Sequence, residues 1–313
     1  KYDNVEFPVP ETFFDDYKGR TAAQRQKMNI YRDMYEGHDL KMSVAPGSDS
    51  LRFDPWPHLN DRMTDEQRER FNANYRPKND KFWAENITDE KELAKWKYQR
   101  YMQEYMGTVA SLDESVGQML DNLEKNGLLD NTIVVYVSDQ GFYLGEHGWF
   151  DKRFMYEESM KMPLMIRYPK EIKAGTEIKA LTQNIDFAPT FLDMCGIDVP
   201  QYMQGASFRP LLTGKKPENW RNSLYYHFYE FPGFHSVQRH FGVKTERYKL
   251  MYFYLLDKWE LYDLAKGPQE MNNIYGKAGT EKIMTELKDE IKRLQKQYNV
   301  PKELTEKPKK IHN

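Results

Sequence analysis

Residues Ile133-Val134-Val135-Tyr136-Val137-Ser138-Asp139-Gln140-Gly141 decide the fold. A β-branched apolar run of this length reads as a buried strand, and it stops at a carboxylate, an amide and a glycine. In open α/β sheets ligands bind outside the carboxyl ends of the strands, so Asp139 and Gln140 stand where a site belongs. Both offer oxygen. The pair suits a hard cation such as calcium or magnesium, whereas an imidazole at the second position would suit zinc. Two oxygens do not complete a calcium shell, so the remaining ligands must come from elsewhere.

Just downstream lie Gly145-Glu146-His147-Gly148 and Lys152-Arg153-Phe154-Met155-Tyr156-Glu157. A lysine beside a cation is a clamp for the oxygens of a sulfate or phosphate. His147, set between glycines, is placed to protonate a leaving group or to bond a substrate hydroxyl. Each residue alone has an ordinary structural reading. Their order behind one strand points to chemistry.

Working outward, Thr88 reads as the N-cap of a helix whose apolar positions Tyr105, Val109, Leu112, Val116, Met119 and Leu123 recur every three or four residues. Gly127 stands where a C′ glycine ends such a helix, and Asp113, on the same stripe, reads as a hydrogen-bonded structural carboxylate. Residues 1–87 are rich in proline and charge, with turns at Ala45-Pro46-Gly47 and Asp54-Pro55-Trp56-Pro57, and read as an irregular wrap. Pro163–Tyr168 reads as a second buried strand. Ile185–Cys195 reads as a helix with Asp186 at its start, Gly196 at its end and Cys195 buried in its last turn. After a Pro/Gly-rich link at Gly205–Pro217 come strands at Ser223–Tyr229, Phe241–Thr245, Tyr248–Tyr254 and Glu260–Leu264. An amphipathic helix at Glu281–Tyr298 follows, with Ile283, Leu287, Ile291 and Leu294 on one stripe, and then a polar, frayed tail, Lys302–Asn313. The expected fold class is α/β: residues 1–210 form the C-terminal part of a large doubly wound mixed sheet. Residues 211–313 form a small α+β domain, an antiparallel sheet covered by one helix.

Charged residues make up 30% of the 313, yet the net charge is −2, so no global field attracts nucleic acid or an anionic membrane. No apolar run reaches membrane-spanning length. Aromatics at 14% suit core packing and the surfaces that handle carbohydrate. Cys195 is the single cysteine, so no internal disulfide forms. The chain opens at Lys1 rather than at a methionine, and a preceding portion is expected. Asn86-Ile87-Thr88 is a glycosylation sequon, meaningful only in a secreted eukaryotic chain.

The Ser138–Glu157 block resembles the second metal-and-sulfate motif of the type I, formylglycine-dependent sulfatases of the alkaline phosphatase superfamily. That resemblance implies that Asp139 and Gln140 supply part of one calcium site. It makes Lys152 the sulfate-binding lysine of a Lys-x-x-x-Tyr-Glu pattern completed by Tyr156 and Glu157. Asn184–Leu192 resembles the family's Asp-x-x-Pro-Thr-x-Leu helix start, and Gln204–Leu212, Tyr248–Leu250 and Glu260–Leu264 resemble structural segments. The Cys/Ser-x-Pro/Ala-x-Arg motif that yields formylglycine has no match: Cys195 is followed by Gly-Ile-Asp, and Ser43–Gly47 lacks the arginine. The early Asp–Asp pair and the Pro-His segment are absent too. The resemblance therefore implies the C-terminal portion of a sulfatase, inactive without the formylglycine nucleophile of its missing N-terminal portion.

Phe13–Arg20 and Trp149–Arg153 resemble bacterial enzymes of sulfated glycans, with the nearest likeness to the N-acetylglucosamine-6-sulfatases. His235, Arg239 and His240 are then the implied substrate-binding residues, on a loop that reaches toward the sugar. The implied partner is a sulfated carbohydrate and the implied location exported, periplasmic or extracellular. Two other readings stand beside this one: a phosphodiesterase or phosphonate hydrolase of the same superfamily, and a non-catalytic glycan-binding module.

Overall fold

The computed structural model describes residues 1–44, 47–48, 51 and 59–306. The turns expected at 45–47 and 54–57 lie wholly or partly outside the described residues, as does the end of the tail, 307–313. The fold is mixed α/β. Its helices are α1 (Thr21–Gln24), α2 (Ile30–Asp33), α3 (Asp65–Glu85), α4 (Glu90–Lys125), α5 (Glu157–Met160), α6 (Phe187–Met194), α7 (Arg209–Leu212) and α8 (Glu281–Gln297). Its strands are β1 (Val134–Val137), β2 (Tyr143–Leu144), β3 (Phe150–Asp151), β4 (Leu164–Arg167), β5 (Ser223–Phe228), β6 (His240–Thr245), β7 (Tyr248–Phe253) and β8 (Lys258–Asp263). None of the described helices is long and apolar enough to cross a membrane. The chain forms two compact units. The first is 1–15, 27–118 and 143–151, and the second is 16–26, 119–142 and 152–313.

In the first unit Ala94, Tyr98 and Met102 of α4 pack with Phe13, Ile30, Met34, Leu40 and Phe150. The expectation of an irregular wrap through residue 87 fails at α3, a 21-residue helix. Thr64 caps it: its hydroxyl accepts from the Gln67 amide at 3.3 Å, and the Gln67 side chain accepts from the Thr64 amide at 2.9 Å. The helix is polar on nearly every side and carries Pro77, so it shows no apolar period to read. Helix α4 starts one residue later than the cap expected at Thr88: Asp89 caps it, its Oδ1 accepting from the Lys91 and Glu92 amides at 3.0 Å, while at the other end the Gly127 amide donates to Glu124 O at 2.9 Å, as expected. Its distal stripe is not buried as expected, however: Val109, Leu112 and Met119 are exposed, and so is Asp113.

In the second unit β1 pairs antiparallel with β4, Val134 opposite Arg167 and Val137 opposite Leu164. Leu164 and Ile166 share one face and join Met194, Phe208, Leu211 and Leu212 beside α6 and α7. The two strands are half-buried rather than buried, with Val137 and Met165 exposed, because only one face of this pair is covered among the described residues. Cys195 is exposed, not buried. Pro189, Thr190 and Met194 take the packed side of α6, and Cys195 falls beside it as the turn closes at Gly196.

Strands β5 to β8 form an antiparallel meander in chain order. Phe241, Val243, Leu250 and Leu261 pack on Leu287, Ile291 and Leu294 of α8. Side chains alternate along a strand. The partners' registers therefore place His240, Gly242, Lys244, Lys249, Met251, Phe253, Glu260 and Tyr262 together on the opposite face.

Candidate active site

The end of β1 turns sharply. The Ser138 hydroxyl donates to Gln140 O at 2.7 Å, and the Gly141 amide donates to Ser159 O at 2.8 Å. A Cβ on Gly141 would lie 2.0 Å from Glu158 O, so only glycine fits against that backbone. The Ser159 hydroxyl in turn accepts from the Arg153 amide at 3.1 Å. Ser159 thus ties the Asp139–Gln140 turn and the Lys152–Arg153 corner to one point. Asp139 is exposed there, and Gln140 and Lys152 are half-buried. The corner is strained: φ is +71° at Asp151 and +114° at Arg153, a region L residues rarely adopt.

Tyr156 and Glu157 explain why the lysine motif carries them. Phe154, Met155 and Tyr156 are buried on the face of the meander opposite α8, and Gly242 makes the seat, since a Cβ there would lie 2.7 Å from Met155 Sδ. The Tyr156 hydroxyl donates to Glu260 Oε2 at 2.9 Å, and the Tyr262 hydroxyl donates to the same oxygen at 2.7 Å. Burial pushes the Glu260 carboxyl up to about 7. Burial also pushes at Glu157, but Lys249 at 2.8 Å and Lys244 at 2.5 Å outweigh it and hold that carboxyl down at about 2. The Glu157 amide donates to Glu270 Oε2 at 2.7 Å, and buried Lys249 closes the cluster on Glu270 at 2.8 Å. The meander is a pedestal, and the segment bearing Lys152 is bolted to it through buried hydrogen bonds and ion pairs.

His147 belongs to the first unit and is fully buried, with φ at +57°. Its amide donates to the Thr12 hydroxyl at 3.0 Å, and its Nδ1 lies 2.8 Å from Asp15 Oδ2. Asp15 therefore orients the imidazole, a partner 132 residues away that no local signal announces. The implied substrate residues fare differently from one another. His240 is fully buried on the pedestal face among Phe154, Tyr226, Phe228 and Phe253, its Nδ1 2.7 Å from Gln238 O. Burial drives it down to about 3, so it is a neutral packing residue here rather than a surface that meets sugar. His235 is buried as well, while Arg239 is half-buried beside Tyr254. Asp15, Ser159, Lys249, Glu260 and Glu270 were not singled out from the sequence. Only the alternation of β8, which puts Glu260 in step with Tyr262, hinted at a buried acid.

A sulfatase family profile matches residues 34–197, and a second, described as N-sulphoglucosamine sulphohydrolase, C-terminal, matches 145–297. This chain belongs to the sulfatase family. It is 47% identical, over 95% of its length, to an N-acetylglucosamine-6-O-sulfatase of Bacteroides thetaiotaomicron, and spans 54% of that enzyme. It is 31% identical to the N-acetylglucosamine-6-sulfatase of Bos taurus over 53% of this chain and 35% of that one. A protein solved in complex with its substrate D-glucosamine-2-N,6-O-disulfate superposes with a TM-score of 0.88 at 46% identity, covering 95% of this chain and 61% of the other. A phosphonate monoester hydrolase from Silicibacter pomeroyi, at 23% identity and a TM-score of 0.65 over 95% of this chain and 52% of that one, shares the fold alone. Among the described residues no group of three or more His, Cys, Asp or Glu gathers to hold a metal. Asp139 and Gln140 offer two oxygen donors at this turn, too few by themselves for a calcium shell.

Proposed function

We propose that the complete protein hydrolyses the 6-O-sulfate of an N-acetylglucosamine-type sugar in sulfated glycans. The observation that carries this reading is the 47% identity to an N-acetylglucosamine-6-O-sulfatase across nearly the whole chain. The bolted Lys152 corner beside the Asp139–Gln140 turn supports it. In this reading Asp139 and Gln140 hold one calcium ion with ligands from a preceding N-terminal portion, which also carries formylglycine. Bound calcium offsets charge on the sulfate, and hydrated formylglycine is the nucleophile the chemistry requires.

The chain's own residues bind and orient. Lys152 neutralises sulfate oxygens, and its fixed anchor removes the need to reorganise as charge develops. Without the preceding portion the chain lacks the nucleophile and is expected not to turn over. The complete protein is proposed to be exported, as sulfatases of this kind typically are.

The profile match at 145–297 favours a second reading, release of the N-sulfate. One incubation separates the two. The complete protein is given D-glucosamine-2-N,6-O-disulfate and the products are followed by NMR. Loss of the 6-O-sulfate supports the proposal, and loss of the N-sulfate instead moves it to the second reading. Turnover that survives Lys152→Ala undiminished refutes the role given to Lys152.

A further inference from the structure

We infer that Arg239 and Tyr229 form a second glycan-binding site, on the α8 face of the meander, for a carboxylate or sulfate on a sugar other than the one that loses its 6-O-sulfate. The inference rests on the proposed sulfatase reading and adds to it a determinant of chain recognition.

Register places the two residues together. Phe228 faces His240 as the last pair of β5 and β6, and Phe241 faces Tyr252 on β7. Side chains alternate along a strand, so Tyr229, Arg239 and Tyr254 fall at one end of the sheet on the face that carries Phe241. The ring contacts agree: Tyr254 stacks with Phe241 at 5.9 Å, His227 lies 6.0 Å from Tyr254, and Tyr229 stacks on His227 at 3.9 Å. Phe154 and Met155 pack on the other face, against His240 and Gly242. Arg239 therefore shares no sheet face with the segment that bears Lys152, and an anion bound there is not the sulfate that Lys152 holds.

Arg239 differs from its fellows in charge pairing. Arg167, Arg209, Arg221, Arg247 and Arg293 of the same unit each meet a carboxylate. Arg239 meets none among the described residues, and its buried Nε has no hydrogen-bond partner there. Its neighbour is the Tyr254 hydroxyl, which burial keeps in its neutral form. A half-buried guanidinium in this position has lost solvation without gaining an opposite charge. A carboxylate or sulfate supplies that charge through two parallel hydrogen bonds.

The backbone that presents Arg239 is fixed in advance. Val237 and Gln238 are buried before it, and buried His240 after it lies with Nδ1 2.7 Å from Gln238 O, a bridge that closes around the arginine. Tyr229 is 45% exposed although one ring face lies on His227, which leaves the other for the apolar face of a sugar. A rigid cation beside an open ring is the chemistry that recognises an acidic sugar.

The test gives the complete protein three tetrasaccharides that end in 6-sulfated N-acetylglucosamine. One is otherwise uncharged, one carries glucuronate carboxylates and one carries further sulfate esters. Wild type should favour a charged chain over the uncharged one by about tenfold in kcat/KM, and which chain it favours identifies the anion. Arg239→Gln should bring that ratio close to one, chiefly through KM, and Arg239→Lys should retain part of it. Tyr229→Ala should raise KM for all three chains. Because Arg239→Gln removes a charge without a counter-charge, its urea midpoint should be no lower than that of wild type. If wild type desulfates the three chains equally well, or if Arg239→Gln leaves the ratio where it was, the inference is overturned and the sulfatase reading stands. If wild type desulfates none of them, nor N-acetylglucosamine-6-sulfate itself, the sulfatase reading has failed and this one falls with it.

Discussion

Replacing Glu260 with glutamine should make the protein more stable at pH 8 and scarcely change it at pH 4.5. Glu260 is fully buried on the pedestal face, and two tyrosines donate to its Oε2 while its Oε1 has no hydrogen-bond partner among the described residues. Burial raises its carboxyl from an ordinary value near 4.5 to about 7. The folded state therefore holds this proton more tightly than the unfolded chain. The stability it contributes is complete below about pH 4.5 and is lost as pH rises through about 7. At roughly 1.4 kcal/mol per pH unit, the interval is worth about 3 kcal/mol. Glutamine carries no proton to lose and still accepts from Tyr156 and Tyr262. His227 and His240, held down at about 4 and 3, act in the opposite sense, losing stability as pH falls, but they are common to both proteins and cancel. The assay is the urea midpoint of wild type and Glu260→Gln, read by circular dichroism at steps from pH 4.5 to pH 8. A stability gap that stays constant across that range would refute the reasoning, because the carboxyl would then ionise alike in both states.

Lys249→Met leaves Glu270 buried without its cation and should cost about 3–5 kcal/mol by urea unfolding, with Glu270→Gln recovering part of the loss. Gly141→Ala drives a Cβ into the carbonyl of Glu158; it should lower kcat/KM by about 100-fold in the complete protein through a displaced site, and a change under threefold would count against the packing argument. Chelating calcium should abolish turnover reversibly while far-UV circular dichroism stays the same, because the Asp139–Gln140 turn is held by Ser138 and Gly141 hydrogen bonds that need no ion.

Much of this architecture was legible because periodicity and caps act locally. Gly127 and Gly196 end α4 and α6 where the sequence placed them, and the meander's apolar face alternates as its strands predict. Helix α3 was not legible, since a helix without an apolar stripe has no period to detect. The exposed end of α4 shows the converse: an apolar stripe marks what a helix can bury, and burial needs a neighbour the described residues do not supply. At the site, residue types could be read and partners could not. Lys152 was visible in its motif, but the carboxylates and lysines that anchor its segment are distributed over β6, β7, β8 and the loop after them. Asp15 and His147 meet across the first unit with nothing in either neighbourhood to foretell it.

The meander's two-sidedness limits how this part of the chain can change over generations. Every residue of β6 to β8 is assigned either to the helix or to the pedestal by parity alone. Inserting or deleting one residue within a strand would exchange the two sets, turning Leu250 and Leu261 toward Glu157 and Lys249 and Glu260 toward α8. No point substitution repairs that. Length variation among descendants of this sequence should therefore be confined to the turns at 246–247 and 254–257, with the strands between them varying in residue type but not in count.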